Sequence, residues 1–122
     1  MKISVEKELG IKKEFEVPTS NINVERAFQM QLDLAKRDDI SEKTGLEILQ
    51  LSLDTMRKSV DYIKETLKLN KTQCALVDEM ETSDTAMLVN RICMRLMGNT
   101  DEEIEAIFNS TEETSPEDLE KA

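Results

Sequence analysis

Few side chains in this chain are of the types that make or break bonds. Histidine is absent, which removes the one side chain whose ordinary pKa places proton transfer at neutral pH. The two cysteines, Cys74 and Cys93, each sit within an apolar helical pattern with no second thiol nearby, so buried, reduced thiols are expected rather than a disulfide or redox pair. Two cysteines without histidine do not supply the four soft ligands of a zinc site. The acidic stretch Asp78 to Val89 has the charge density of a calcium loop but lacks its central glycine and closing glutamate. The three glycines are scattered, so no loop is built to cradle phosphate. Ser83, followed by Asp84 at a helix start, is the one serine placed as in a carrier protein with a tethered group; no serine or cysteine stands in a nucleophile elbow. The expectation is a protein that is not an enzyme, with no cofactor and no metal, whose function lies in its surfaces.

The strongest pattern belongs to the elements. Leu46, Leu49, Leu53, Met56, Val60, Ile63 and Leu67 alternate spacings of three and four, which predicts a long helix over about 46–69 with a single apolar seam. The heptad positions beside that seam are Ser52, Ser59 and Thr66 on one flank and Gln50, Arg57 and Lys64 on the other. An uncharged, small flank suits close packing in a bundle within one chain better than an exposed coiled coil, with a helix-exchanged homo-oligomer as the other arrangement. Ahead of the seam, Met1, Ile3, Val5, Leu9, Ile11, Phe15 and Val17 fall at odd positions among polar neighbours. That period of two predicts a two-stranded hairpin over 1–17, reversing at Gly10 and ended by Pro18. Asn21 or Asn23 is placed to cap a helix of about 23–36, with Val24, Ala27, Phe28, Leu32 and Ala35 inward. Shorter helices follow over about 73–80, capped from Asn70 or Thr72, and 84–97, capped by Ser83 and closed by Gly98. Thr100 and Glu103 form a capping box for a last helix over 101–109, whose apolar face is Ile104, Ile107 and Phe108. The fold class is mainly α: one helical domain over 1–109 with an N-terminal hairpin, and a disordered acidic tail over 110–122.

Two features bear on partners. At 100° per residue, Leu88, Val89, Ile92, Cys93 and Leu96 share one face of the 84–97 helix while Met87 and Met94 stand nearly opposite. Methionine is flexible and polarizable and suits surfaces that accommodate variable apolar partners. Met87, Met94, Ile104, Ile107 and Phe108 are therefore the candidate partner-binding residues. The second feature is charge. The chain carries a net −10, of which residues 99–122, with nine acids against one lysine, hold −8. An acidic chain repels phosphate backbones and anionic lipid, so neither nucleic acid nor membrane is expected as a partner. No run of about 18 apolar residues and no signal-like start occurs, so a cytoplasmic site is expected.

The order of these features resembles a family. The opening MKISVEKELGIKKEFEVPTSNINVERAFQM, a charged hairpin leading through proline into a helix, and LEILQLSLDTMRKSVDYIKETLKLNKTQCALVDEM, a seam helix breaking at Lys68 to Lys71 into a second helix, resemble the tail assembly chaperones of long-tailed, siphovirus-type phages of Gram-positive bacteria. The resemblance runs from about Met1 to Glu105 and is one of pattern and order.

It implies a non-enzymatic helical module in the host cytoplasm, absent from the mature virion. Such a module coats the tape measure protein, keeps it soluble and helps recruit tail tube subunits. It also implies that the stretch from Ser110 becomes a linker where a longer, frameshifted product is made. The residues alone leave a second reading: a small acidic regulator that inhibits a nucleic-acid-binding protein by polyanion mimicry. The two differ in salt response, since charge mimicry weakens steeply with salt while apolar masking holds.

Overall fold

The computed structural model describes the backbone of residues 1–113 and the side chains of residues 1–107. Within them the order is β1 (Lys2–Val5), α1 (Glu6–Leu9), β2 (Ile11–Glu16), α2 (Asn21–Asp38), α3 (Gly45–Thr66), α4 (Lys71–Asp78), α5 (Thr82–Leu96) and α6 (Asp101–Glu113). The mainly α architecture with an N-terminal antiparallel hairpin is the one the sequence predicts. The hairpin is not closed by a simple turn at Gly10, however. Its register pairs Ile3 with Phe15 and then shifts, so that Val5 pairs with Ile11. The intervening residues wind into the one-turn helix α1, whose end Gly10 caps at φ +70° with its N–H donating to the Glu6 carbonyl at 2.9 Å. The polar Lys7 and Lys13 interrupt the alternation at the places where strand geometry gives way. Ile3, Val5, Phe15 and Val17 are buried beneath the helices, which gives this small sheet the packing partner that a lone hairpin lacks.

Ser20, rather than Asn21 or Asn23, caps α2, its hydroxyl accepting from the Asn23 N–H at 3.3 Å. The inward stripe is also rotated from the predicted one. Ala27 and Met30 are buried and Leu34 packs on the core, whereas Phe28, Leu32 and Ala35 face outward. Two neighbours fix the rotation: Arg26 and Asp33 pair with Glu65 and Lys58 of α3 at 2.6 and 3.8 Å, and Gln31 donates to Asn90 of α5 at 3.1 Å. The α3 pairs also set an antiparallel register that places Asp38, the end of α2, level with Leu53.

Asn70 and Gln73 form a reciprocal capping box on α4, at 2.9 and 3.0 Å. At α5 the expected cap fails. The helix starts at Thr82 with Glu81 before it and no side-chain cap, and Ser83 lies within its first turn. Thr85 binds the Glu81 carbonyl through both its N–H and its hydroxyl, each at 3.0 Å, so burial of Thr85 draws the helix start back by two residues. Gly98 follows α5 at φ +105°, and Thr100 and Glu103 cap α6 reciprocally, at 3.2 and 3.4 Å. α6 runs through Asn109 to Glu113, because nothing between Asn109 and Pro116 breaks a helix. The disordered tail expected over 110–122 is therefore helical as far as Glu113, and the rest of that expectation lies outside the described residues.

The core is supplied by α5 (Leu88, Val89, Ile92, Cys93, Leu96), the second half of α3 (Tyr62, Ile63, Leu67), Ala27 and Met30 of α2, the hairpin, Val77 of α4 and Ile104 of α6. The face of α5 predicted to be apolar is fully inward.

Candidate partner-binding surface

Chemistry has little to work with here. Both cysteines are free thiols, Cys93 buried and Cys74 partly so. Burial pushes the Cys93 thiol pKa up, and it also drives the Tyr62 hydroxyl far above the usual tyrosine range. Tyr62 has the Cys93 thiol as a polar neighbour but no hydrogen bond of standard geometry to its oxygen. Both groups are therefore held in their neutral forms within the core, the opposite of what an activated nucleophile requires. Among the described residues no group of acidic, cysteine or histidine side chains is arranged to hold a metal ion, and no helix is long and apolar enough to cross a membrane.

The surface is more informative. The antiparallel run of α2 against α5 follows from the Gln31–Asn90 bond together with Leu34, Thr85 and Ala86 lining one groove. In that arrangement Phe28 and Leu32 stand on the outer ridge of α2 and Met87 and Met94 on the outer ridge of α5, flanking the Gln31–Asn90 bond. Phe28, Leu32 and Met87 are each at least half exposed and Met94 is half-buried. The sequence pointed to the two methionines by their position opposite the core face. It missed Phe28 and Leu32 because it assigned them to the interior; their i, i+4 spacing off the Ala27–Met30–Leu34 stripe is the signal that would have found them.

The remaining candidates separate. Ile104 is 1% exposed and packs inward, so in this fold it serves the core and is closed to a partner. Ile107 is exposed midway along α6, and the side chain of Phe108 lies outside the described residues. The four described candidates therefore do not form one patch.

The long seam gives a second surface. Its latter half is core, with Ile63 and Leu67 buried and Val60 packed on them. Its first half is not: Leu46, Leu49, Leu53 and Met56 are between 42% and 69% exposed. There the bundle meets α3 through Thr55 and Ser59, which are buried and return their hydroxyls to the carbonyls of Leu51 and Thr55 at 2.7 and 2.9 Å. The prediction that small flank residues allow close packing holds at Ser59. The prediction that the whole seam serves an internal core does not, because α2 ends level with Leu53 and the first turns of α3 overhang the bundle. Between α2, α3, α4 and the start of α5 lies a groove of about 740 Å³ lined by Leu34, Met56, Val60, Val77 and Met80, with the Lys64–Asp78 ion pair, 2.6 Å, on its rim. Its hydrogen bond to Asp78 raises the Lys64 pKa, so that cation stays charged.

α5 is held in place from the other side. Arg91 donates through Nε and Nη2 to Glu8 Oε1 of α1 at 3.0 and 2.7 Å, and through Nη2 to the Ser4 carbonyl of β1. Arg95 reaches the Lys2 carbonyl at 3.2 Å and pairs with Asp101. These two arginines tie the hairpin to α5 and so fix the orientation in which Met87 and Met94 face outward.

A comparison with family models matches residues 1–115 to the family described as phage tail assembly chaperone proteins, TAC. No curated protein and no solved structure matches the chain.

Proposed function

The chain belongs to the phage tail assembly chaperone family, and from that premise we propose that it shields the tape measure protein of a siphovirus-type phage of Gram-positive bacteria through the outer face of α2 and α5. The observation that carries this reading is the cluster of Phe28, Leu32, Met87 and Met94, three of them at least half exposed, on a bundle whose core is already complete. Large apolar side chains kept in water cost solubility unless they meet a partner, and the flexible methionines accommodate successive stretches of an amphipathic client without a fixed sequence. The module acts in the host cytoplasm without turnover of a substrate, hands the coated client to tail tube subunits and is left out of the finished particle.

The test is co-expression with the tape measure protein encoded beside it. The native chain is expected to keep the client in the soluble fraction, and the complex to persist from low to high salt. Replacing Leu32 and Met87 together by Gln should leave melting within about 4 °C, since each exposed substitution rarely exceeds ~0.5 kcal/mol, while the client returns to the pellet. A variant that still solubilises the client overturns the assignment of this face. A complex that dissolves as salt rises favours polyanion mimicry instead.

A further inference from the structure

We propose that α6 is a displaceable strap whose own residues occupy a receptor for a partner helix, one with a carboxylate in its first turn and a branched aliphatic side chain three residues later. The receptor is read from its present occupant. Asp101 sets its carboxylate between two guanidiniums, Oδ2 2.5 Å from Arg95 and Oδ1 3.8 Å from Arg91, and Ile104, on the same helix face, is 1% exposed. Both arginines are held from the other side. Arg91 bonds to Glu8 and the Ser4 carbonyl, and Arg95 to the Lys2 carbonyl, so their positions do not depend on α6. Set against Glu8 alone, the two guanidiniums leave one positive charge over, on a chain whose net charge is −10. A carboxylate arriving on a helix start meets fixed donors and a complementary charge there. The attachment of α6 is equally local. Its first turn is closed by the Thr100–Glu103 box, and the end of α5 by Asn99, whose backbone and side-chain N–H groups both donate to the Met94 carbonyl. Among residues 100–106, Asp101 alone makes a hydrogen bond or ion pair to a residue before 100. α6 can thus swing about Gly98, at φ +105°, with both helix ends still satisfied. This site is separate from the α2 and α5 face, and the inference does not rest on client binding there.

A fluorescein-labelled peptide of residues 99–113 is the probe, since it carries both recognition groups. Asp101→Lys in the full chain sets like charge against both arginines and frees α6, and the Asp101 side chain is 55% exposed, so the bundle keeps its fold. A site that is open only part of the time binds more weakly by that fraction. The peptide is therefore expected to bind Asp101→Lys about tenfold more tightly than the native chain, or more. The peptide with Asp101→Asn and Ile104→Gln should bind neither. By hydrogen exchange, Asp101→Lys should speed the amides of residues 104–107 about tenfold or more and leave those of residues 88–93 unchanged. Equal affinity for the two chains, absence of binding to Asp101→Lys, or binding of the doubly substituted peptide overturns the proposal. So does exchange that is unchanged in α6, or that quickens equally through α5, which would make α6 part of the cooperative core.

Discussion

Replacing Arg91 by Met removes the charge and the hydrogen bonds that fasten α5 to the hairpin but keeps most of the aliphatic stem. The Arg91 and Glu8 side chains are only 17% and 13% exposed, so their pairing is largely shielded from solvent. Glu8 Oε2 is buried without a hydrogen-bond partner, which leaves Arg91 as that carboxylate's principal compensation. Removing one member of a buried pair costs about 3–5 kcal/mol, and the residual exposure here puts the loss near the bottom of that range, ~3 kcal/mol. Unfolding entropy of about 2.1 cal/mol/K per residue over 122 residues converts that to a melting temperature lowered by roughly 12 °C. Glu8→Gln relieves the stranded charge, so adding it to Arg91→Met should cost no more than Arg91→Met alone, a coupling of about 1.5 kcal/mol or more in a double-mutant cycle. Thermal and urea unfolding followed by circular dichroism measure all four proteins. A loss under ~1 kcal/mol for Arg91→Met, or strictly additive single losses, would refute the claim that this pair anchors the hairpin.

Two further outcomes follow from the core. Because burial raises Tyr62 above its unfolded value near 10, the folded state keeps a proton that the unfolded state releases. Stability is then unaffected by this group below about pH 10 and falls as pH rises beyond it, by up to ~1.4 kcal/mol per unit. Tyr62 is the single tyrosine, so near-ultraviolet tyrosinate absorbance should appear only with unfolding; a titration near pH 10 in the native protein would contradict its burial. The thiols should differ in the same way. Cys93, buried and with a raised pKa, should resist maleimide until denaturant is added, while the half-buried Cys74 reacts in the native state, as peptide mass mapping would read. Equal native labelling would count against the packing of α5.

Local signals in the chain were sufficient for most of the secondary structure. Asn70, Thr100 with Glu103 and the left-handed Gly98 are short-range devices that act within a few residues, and each sits where the pattern placed it; the reciprocal partner of Asn70, Gln73, came only with the structure. The inward face of α5 was legible for the same reason, since a helix buried on one side must segregate its apolar residues. The hairpin turn was misread because Lys7 and Lys13 were passed over in an otherwise regular alternation.

What the sequence by itself determined, then, is which segments are helical and how many apolar faces they carry; it contains more such faces than one small core can bury. Only the tertiary structure decided which of them go inside. The rotation of α2 is set by Arg26, Gln31 and Asp33 reaching two different helices, and the exposure of Leu46 to Met56 follows from α2 ending too early to cover them. Both depend on distances between elements remote in sequence, which periodicity along one helix does not encode.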